Sequence, residues 1–279
     1  MRPYPDFPNK VKILCRWIPL ILFAVLCGCG EGSDKTPATT KKIVVATDTT
    51  LVPMSYINDR QELVGFEPDL MQAIARRAGL DIKMIAVEWP GLFGGLITHK
   101  FDMVISSVTI LPERKRKMAF SIPYLKSGLS LVVRKDTRGV ASVEDLLNKD
   151  LLAGAQVGTT AYFYLEKYPR LRKKGYQAYG HAIADLIKGE VDAVLGESTG
   201  TLYYKNRQQE YFHKIKMVGD ILTEEYYGIV FRKDDASLRK RVNQALKQLL
   251  EDGTVRKLHD KWELGKSAQL PSPATRGGG

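Results

Sequence analysis

From Lys42 onward, unbroken apolar runs alternate with stretches whose apolar residues recur three and four positions apart. "KIVVATD" is an unbroken run and predicts a buried strand. "FEPDLMQAIARRAG" puts Leu70, Met71, Ile74, Ala75 and Ala78 on one face, which predicts a helix. Glu67 and Asp69 fall in its first turn and Gly79 stops it. "LDIKMIAVEW" then predicts a strand, "PGLFGGLITHK" a helix, "FDMVISSVTI" a strand and "GLSLVVRKD" a strand leading out of this group. "SVEDLLNK" (helix), "LLAGAQV" (strand), "TTAYFYLEKYP" and "IADLIKGE" (helices), "VDAVLG" (strand) and "STGTLYYKNRQ" (helix) follow. "EYYGIVFRKD" predicts a last strand. A long amphipathic helix then carries Leu238, Val242, Ala245, Leu246, Leu249 and Leu250. Strands alternating with helices imply an α/β fold with open sheets. Ligands of such folds sit beyond the carboxyl ends of strands.

Those strand ends carry polar residues of complementary charge. Ser107 and Thr109, two apart on a predicted strand, share a face just before Arg114. A guanidinium offers a planar fork to a carboxylate. Gly158, Thr159 and Thr160 end one strand at a helix start, where free N–H groups favour an anion. Glu197 ends another strand. An arginine and hydroxyls for a carboxylate, with an acid for an ammonium group, complement a zwitterionic amino acid.

The termini read differently. Arg2, Lys10, Lys12 and Arg16 precede the apolar run "WIPLILFAVL", about half of what spans a bilayer but suited to a secretory signal. "LCGC" then resembles a bacterial lipobox, which implies cleavage of residues 1–28 and acylation of Cys29. The mature chain would keep Cys29 alone, so its stability must come from the core rather than from a disulfide. Residues 29–41 read as a flexible tether and 266–279 as a disordered tail. Net charge is +11, of which about +8 stays after residues 1–28. A basic chain suits an anionic membrane surface. No aromatics interleave a basic stripe, which argues against nucleic acid.

Other motifs fall short. Gly196–Gly200, "GESTG", fits G-x-S-x-G, with His213 and His259 downstream, but nothing resembles an oxyanion loop. "GKS" at 265–267 lacks the first glycine of a phosphate loop. The four histidines have no metal-ligand spacing, and neither a metal nor a cofactor is expected.

Together "VVATDTTLVPMSYIND", "LVGFEPDLMQAIARRAG", "TILPERKRKMAFSIPYL", "VGTTAYFYL", "EYYGIVFRKDD" and "VNQALKQLLEDGTVRKLHDKWEL" resemble the extracellular solute-binding proteins of polar amino acid ABC transporters. The resemblance implies a two-lobed, type II periplasmic-binding-protein-like fold. Each lobe is an open sheet flanked by helices, with the ligand cleft between them. It implies residues 42–133 and 223–265 for the first lobe and 134–222 for the second. Arg114 would bind the ligand's carboxylate, with N–H and hydroxyl donors from Thr159 and Thr160. Thr109, the Ser107 carbonyl and Glu197, where the family usually has aspartate, would take the ammonium. Trp89, Asp48 and Gln156 would meet the side chain. Leu51 and Met54 replace the family's usual aromatic wall. A polar or basic amino acid ligand, a membrane permease partner, a lipid anchor and a monomeric state follow. A sensor with the same pocket, or a dehydratase acting on prephenate or arogenate, are the alternatives.

Overall fold

The computed structural model describes residues 42–201, 213–265 and 268–272. The expected signal segment, Cys29, the tether, and positions 202–212, 266–267 and 273–279 lie outside them. Strand β1 (Ile43–Thr47) starts the fold, followed by a small antiparallel ribbon of β2 (Thr50–Leu51), β3 (Ser55–Ile57) and β4 (Leu63–Val64). Helix α1 (Phe66–Ala78) buries Phe66, Leu70, Met71, Ile74 and Ala75 and ends at Gly79, whose φ of 62° suits a residue without Cβ. Then come β5 (Ile82–Ala86), α2 (Trp89–Ile97), β6 (Met103–Val104), α3 (Pro112–Lys117) and β7 (Ala119–Phe120).

Strand β8 (Leu125–Ser127) carries the chain to a second group of elements. These are β9 (Leu129–Arg134), α4 (Val143–Asn148), β10 (Leu152–Gln156), α5 (Thr160–Glu166), β11 (Arg172–Tyr176), α6 (Tyr179–Lys188), β12 (Ala193–Glu197) and β13 (Ile215–Val218). Strand β14 (Glu225–Tyr227) returns antiparallel to β8, and β15 (Val230–Phe231), α7 (Ala236–Glu251) and α8 (Thr254–Lys261) complete the first group. The first sheet runs β5-β1-β6-β15-β7 and the second β11-β10-β12-β9-β13. The β8/β14 ribbon joins them.

Each sheet has its own core. Val242, Ala245, Leu246, Leu249 and Leu250 of α7 pack with Leu70, Met71 and Ile74 of α1 in one cluster. Leu131, Val133, Ala155, Ala161 and Leu165 anchor the second group. Burying each large aliphatic side chain contributes about 1.5–3 kcal/mol, so α1 and α7 are held by their shared apolar face.

Three expectations change, and some strands were not expected at all. Strand β9 lies between β12 and β13, so residues 129–133 belong to the second sheet, not the first lobe. The strand expected over "FDMVISSVTI" ends at Val104; Ser107 takes a φ of 47°, which breaks the pleat, so Ser107 and Thr109 do not share a strand face. Residues 268–272 are not a free tail. Ala268 is fully buried, and Gln269 exchanges two 2.7 Å backbone hydrogen bonds with Lys126 on β8. The three-stranded ribbon, β11 and β13 were not legible as strands: "RKKGY" is mostly exposed, and β2 and β4 are two residues each.

Candidate functional site

The strand ends converge on one cavity. Ten of the eleven expected residues line it: Asp48 after β1, Leu51, Trp89 opening α2, Ser107, Thr109, Arg114 on α3, Gln156 ending β10, Thr159, Thr160 and Glu197 ending β12. Met54 does not. It is fully buried in the core with Phe66 and Leu70, and the turn that seats it gives Met54 N–H to Leu51 O.

Arg114 is 8% exposed and lies over the faces of Trp89 and Phe93, 5.6 and 5.3 Å from the ring centroids. Its Nη1 donates to the Thr109 carbonyl at 3.0 Å. Its Nη2 reaches across to the Gly158 carbonyl, beyond the second sheet, at 3.2 Å. Gly158 has a φ of 76°, and a Cβ there would stand 3.3 Å from Trp89 Nε1, so glycine permits this approach. Burial pulls the guanidinium below its ordinary value, and the charges of Glu197 and Glu225 oppose that.

Two carboxyl groups face this cation. Glu197 accepts from the Tyr227 hydroxyl and from Thr160 Oγ1 at 3.1 Å. Burial and the nearby charge of Glu225 push its carboxyl up to about 8. Glu225, 5% exposed on β14, accepts from Thr109 Oγ1 at 2.6 Å and Thr223 Oγ1 at 3.0 Å, and it competes with Glu197 for the one hydrogen of Thr160 Oγ1, 3.0 Å away. Sequence reasoning missed Glu225 and Tyr227. The one available signal was an acid two residues before the "YG" of "EYYG", and which acid turned inward could not be read from spacing.

The geometry revises several roles. A hydroxyl has one hydrogen. Thr160 directs its own to a carboxylate, and Thr159 Oγ1 donates to the Gln156 carbonyl at 2.7 Å. Neither hydroxyl is left to donate to a ligand carboxylate. Asp48 accepts from Trp89 N–H (2.7 Å), Thr50 N–H (2.7 Å) and Thr50 Oγ1 (2.5 Å). It therefore satisfies an orphan donor at the start of α2. Gln156 Nε2 donates to the Gln177 carbonyl. Leu51 reaches Gly200, whose added Cβ would lie 2.5 Å from Leu51 Cδ1. Ser106, Thr50 and Tyr179 also line the cavity.

Beneath the floor, Glu67 is 1% exposed and accepts from Ser107 N–H (2.5 Å), Ser107 Oγ (3.0 Å) and Tyr124 (2.5 Å). These bonds hold Ser107 in its left-handed conformation. Burial raises the Glu67 carboxyl to about 7 against the pull of those donors. Ser198 of "GESTG" is buried and shares a hydrogen bond with Ser127, and His259 is engaged with the Ala268 carbonyl at 2.6 Å. Among the described residues no cluster of His, Cys, Asp and Glu could hold a metal ion, and no helix is long and apolar enough to cross a membrane.

A cavity lined by a buried guanidinium and a carboxyl group between two α/β lobes defines a class, and comparison agrees. The family model for bacterial extracellular solute-binding proteins, family 3, matches residues 43–266. The chain belongs to that family. The probable amino-acid-binding protein YxeM of Bacillus subtilis (strain 168) is 31% identical over 255 residues, covering 88% of this chain and 94% of that protein. The L-cystine-binding protein TcyJ of Escherichia coli (strain K12) is 29% identical over 222 residues, covering 79% and 82%. An ancestral arginine-binding protein solved with arginine superposes with a TM-score of 0.75 at 32% identity, covering 79% of this chain and 97% of that one. The fold is thus the two-lobed type II arrangement. The relatives named are binding proteins rather than enzymes.

Proposed function

We propose that this chain captures a free amino acid between its lobes and presents it to the permease of an ABC transporter. The observation that carries the reading is a buried guanidinium, Arg114, and a carboxyl group, Glu197, on the lining of one cavity, with the charge of Glu225 acting on both from beside it. The ligand's carboxylate exchanges for the Gly158 carbonyl on Arg114. Its ammonium lies toward Glu197, the Thr109 hydroxyl and the Ser107 carbonyl. Charge-assisted hydrogen bonds of this kind contribute about 1.5–3 kcal/mol each, and micromolar affinity needs only about 8 kcal/mol net.

The side-chain end is bounded by Leu51, Trp89, Gln156 and Tyr179. Asp48 already accepts three hydrogen bonds. This favours a polar uncharged side chain over a basic one. The two sheets with their helices act as lobes, and the β8/β14 ribbon is the hinge. Ligand contacts to both lobes shift the population toward closure. The protein works as a monomer on the outer face of the cell membrane, held by lipid on Cys29.

Thermal-shift screening of the full chain against the twenty amino acids, ornithine, cystine and prephenate tests this. A ligand at a hundred times its Kd stabilises by about 2.7 kcal/mol. For a domain of this size that is a rise of roughly 5–10 °C. A rise with one amino acid is expected. No rise with any amino acid would sink the reading, and a rise with prephenate alone would move it to an enzyme. Co-purification with a permease and loss of palmitate labelling in Cys29→Ala test the partner and the anchor.

A further inference from the structure

Glu225 belongs to neither lobe. It stands on β14, in the ribbon that joins the two sheets, and its carboxylate collects hydroxyls from three places. Thr109 Oγ1 comes from the loop after β6, and Thr160 Oγ1 from the first residue of α5. Thr223 Oγ1, which itself accepts from Leu129 N–H at 3.0 Å, comes from the ribbon's approach. Thr109 and Thr160 both line the cavity, one from each group of elements, and their hydroxyls meet at the same Glu225 oxygen.

Hydrogen-bond polarity gives this arrangement a consequence. A hydroxyl that donates its one hydrogen to Glu225 can show a ligand only lone pairs. Lone pairs suit an ammonium group and repel a carboxylate. We propose that Glu225 is a positioning residue of the ligand site: it fixes Thr109, and together with Glu197 it fixes Thr160, as acceptors toward a ligand ammonium, and it does so only while the two lobes are together. This rests on the amino acid reading above.

The charged and titratable groups around Glu225 are Arg114 from α3, Glu197 from β12 and Tyr227 further along β14, while its neighbour Glu224 turns out to Lys126 at 2.6 Å. The negative charge of Glu225 raises the Glu197 carboxyl, and Arg114 lowers it. An ammonium docks best on ionised Glu197. Affinity therefore rises with pH as Glu197 ionises, and removing the charge of Glu225 moves that rise to lower pH.

The test compares the full chain with Glu225→Gln and Glu225→Asp. L-Glutamine, L-arginine and L-cystine are titrated calorimetrically from about pH 6 to about pH 9, and small-angle scattering of the free proteins follows lobe separation. Glu225→Gln is expected to weaken the bound amino acid about 10- to 150-fold at high pH, equivalent to one charge-assisted hydrogen bond. It should also shift the pH profile downward, and Glu225→Asp should restore the profile's position because it restores the charge. Equal weakening at every pH, with no shift, would mean a purely structural role and overturn the proposal. If the native chain binds none of the three probes, the amino acid reading is judged by the wider thermal-shift screen, and scattering decides this proposal. A more open Glu225→Gln protein would support the clasp, and unchanged scattering would overturn it.

Discussion

Replacing Arg114 by lysine keeps the positive charge and removes the fork. In the native site the guanidinium lies against the rings of Trp89 and Phe93 and is anchored by Nη1 on the Thr109 carbonyl, while Nη2 can turn from Gly158 toward a ligand. A carboxylate on that fork makes two charge-assisted bonds, each worth about 1.5–3 kcal/mol. An ammonium on a flexible stem keeps one of them. The expected loss is therefore about one bond, or roughly 10- to 150-fold in Kd. Poorer stacking adds about 0.5–1 kcal/mol. Isothermal titration with the best-binding amino acid measures this directly, and thermal unfolding of the free variant separates affinity from folding. A change below about threefold in a folded variant would refute the assignment of Arg114 as the carboxylate clamp.

Stability should also depend on pH. Glu67 and Glu197 hold protons up to about 7 and about 8, against an ordinary value of 4.5. The folded protein thus binds more protons than the unfolded chain between those values. Their contribution is full below the ordinary value and is lost as pH rises through 7 and 8. Urea midpoints of the free protein should fall across that window, and Glu67→Gln should flatten the lower part; a flat native profile would contradict the reading. Gly128→Ala should destabilise the hinge, because its Cβ would stand 2.1 Å from the Thr223 carbonyl oxygen, a backbone atom that cannot rotate away. A melting temperature lowered by several degrees is expected, at about 2–4 °C per kcal/mol for this size; an unchanged value would show that the ribbon yields freely.

Local rules carried the architecture a long way. The stripes on α1 and α7 depend on neighbours in sequence, and Gly79 stops α1 where φ turns positive. Strand ends supply Asp48, Gln156 and Glu197 because an open α/β sheet puts its ligand there. Arg114 was legible because it follows the hydroxyls of Ser107 and Thr109 at a predicted strand end and because "PER" resembles the family's carboxylate-binding element.

What failed was set by contacts distant in sequence. Ser107 turns left-handed because Glu67, forty residues earlier, takes its N–H and its hydroxyl. Met54 went to the core because its turn pointed it there rather than into the cleft. Residues 129–133 look the same as an edge strand or a central one, and partner choice placed them in the second sheet. The hydroxyl donor roles expected of Thr159 and Thr160 give way to acceptors that the fold brings from Gln156, Glu197 and Glu225.

The most direct measurement is a crystal structure with the amino acid that gives the largest thermal shift. The account predicts its carboxylate on the Arg114 guanidinium and its ammonium between Thr109 and Glu197, with the side chain toward Leu51, Gln156 and Tyr179. A ligand bound in the reverse sense, or outside this cavity, would contradict it.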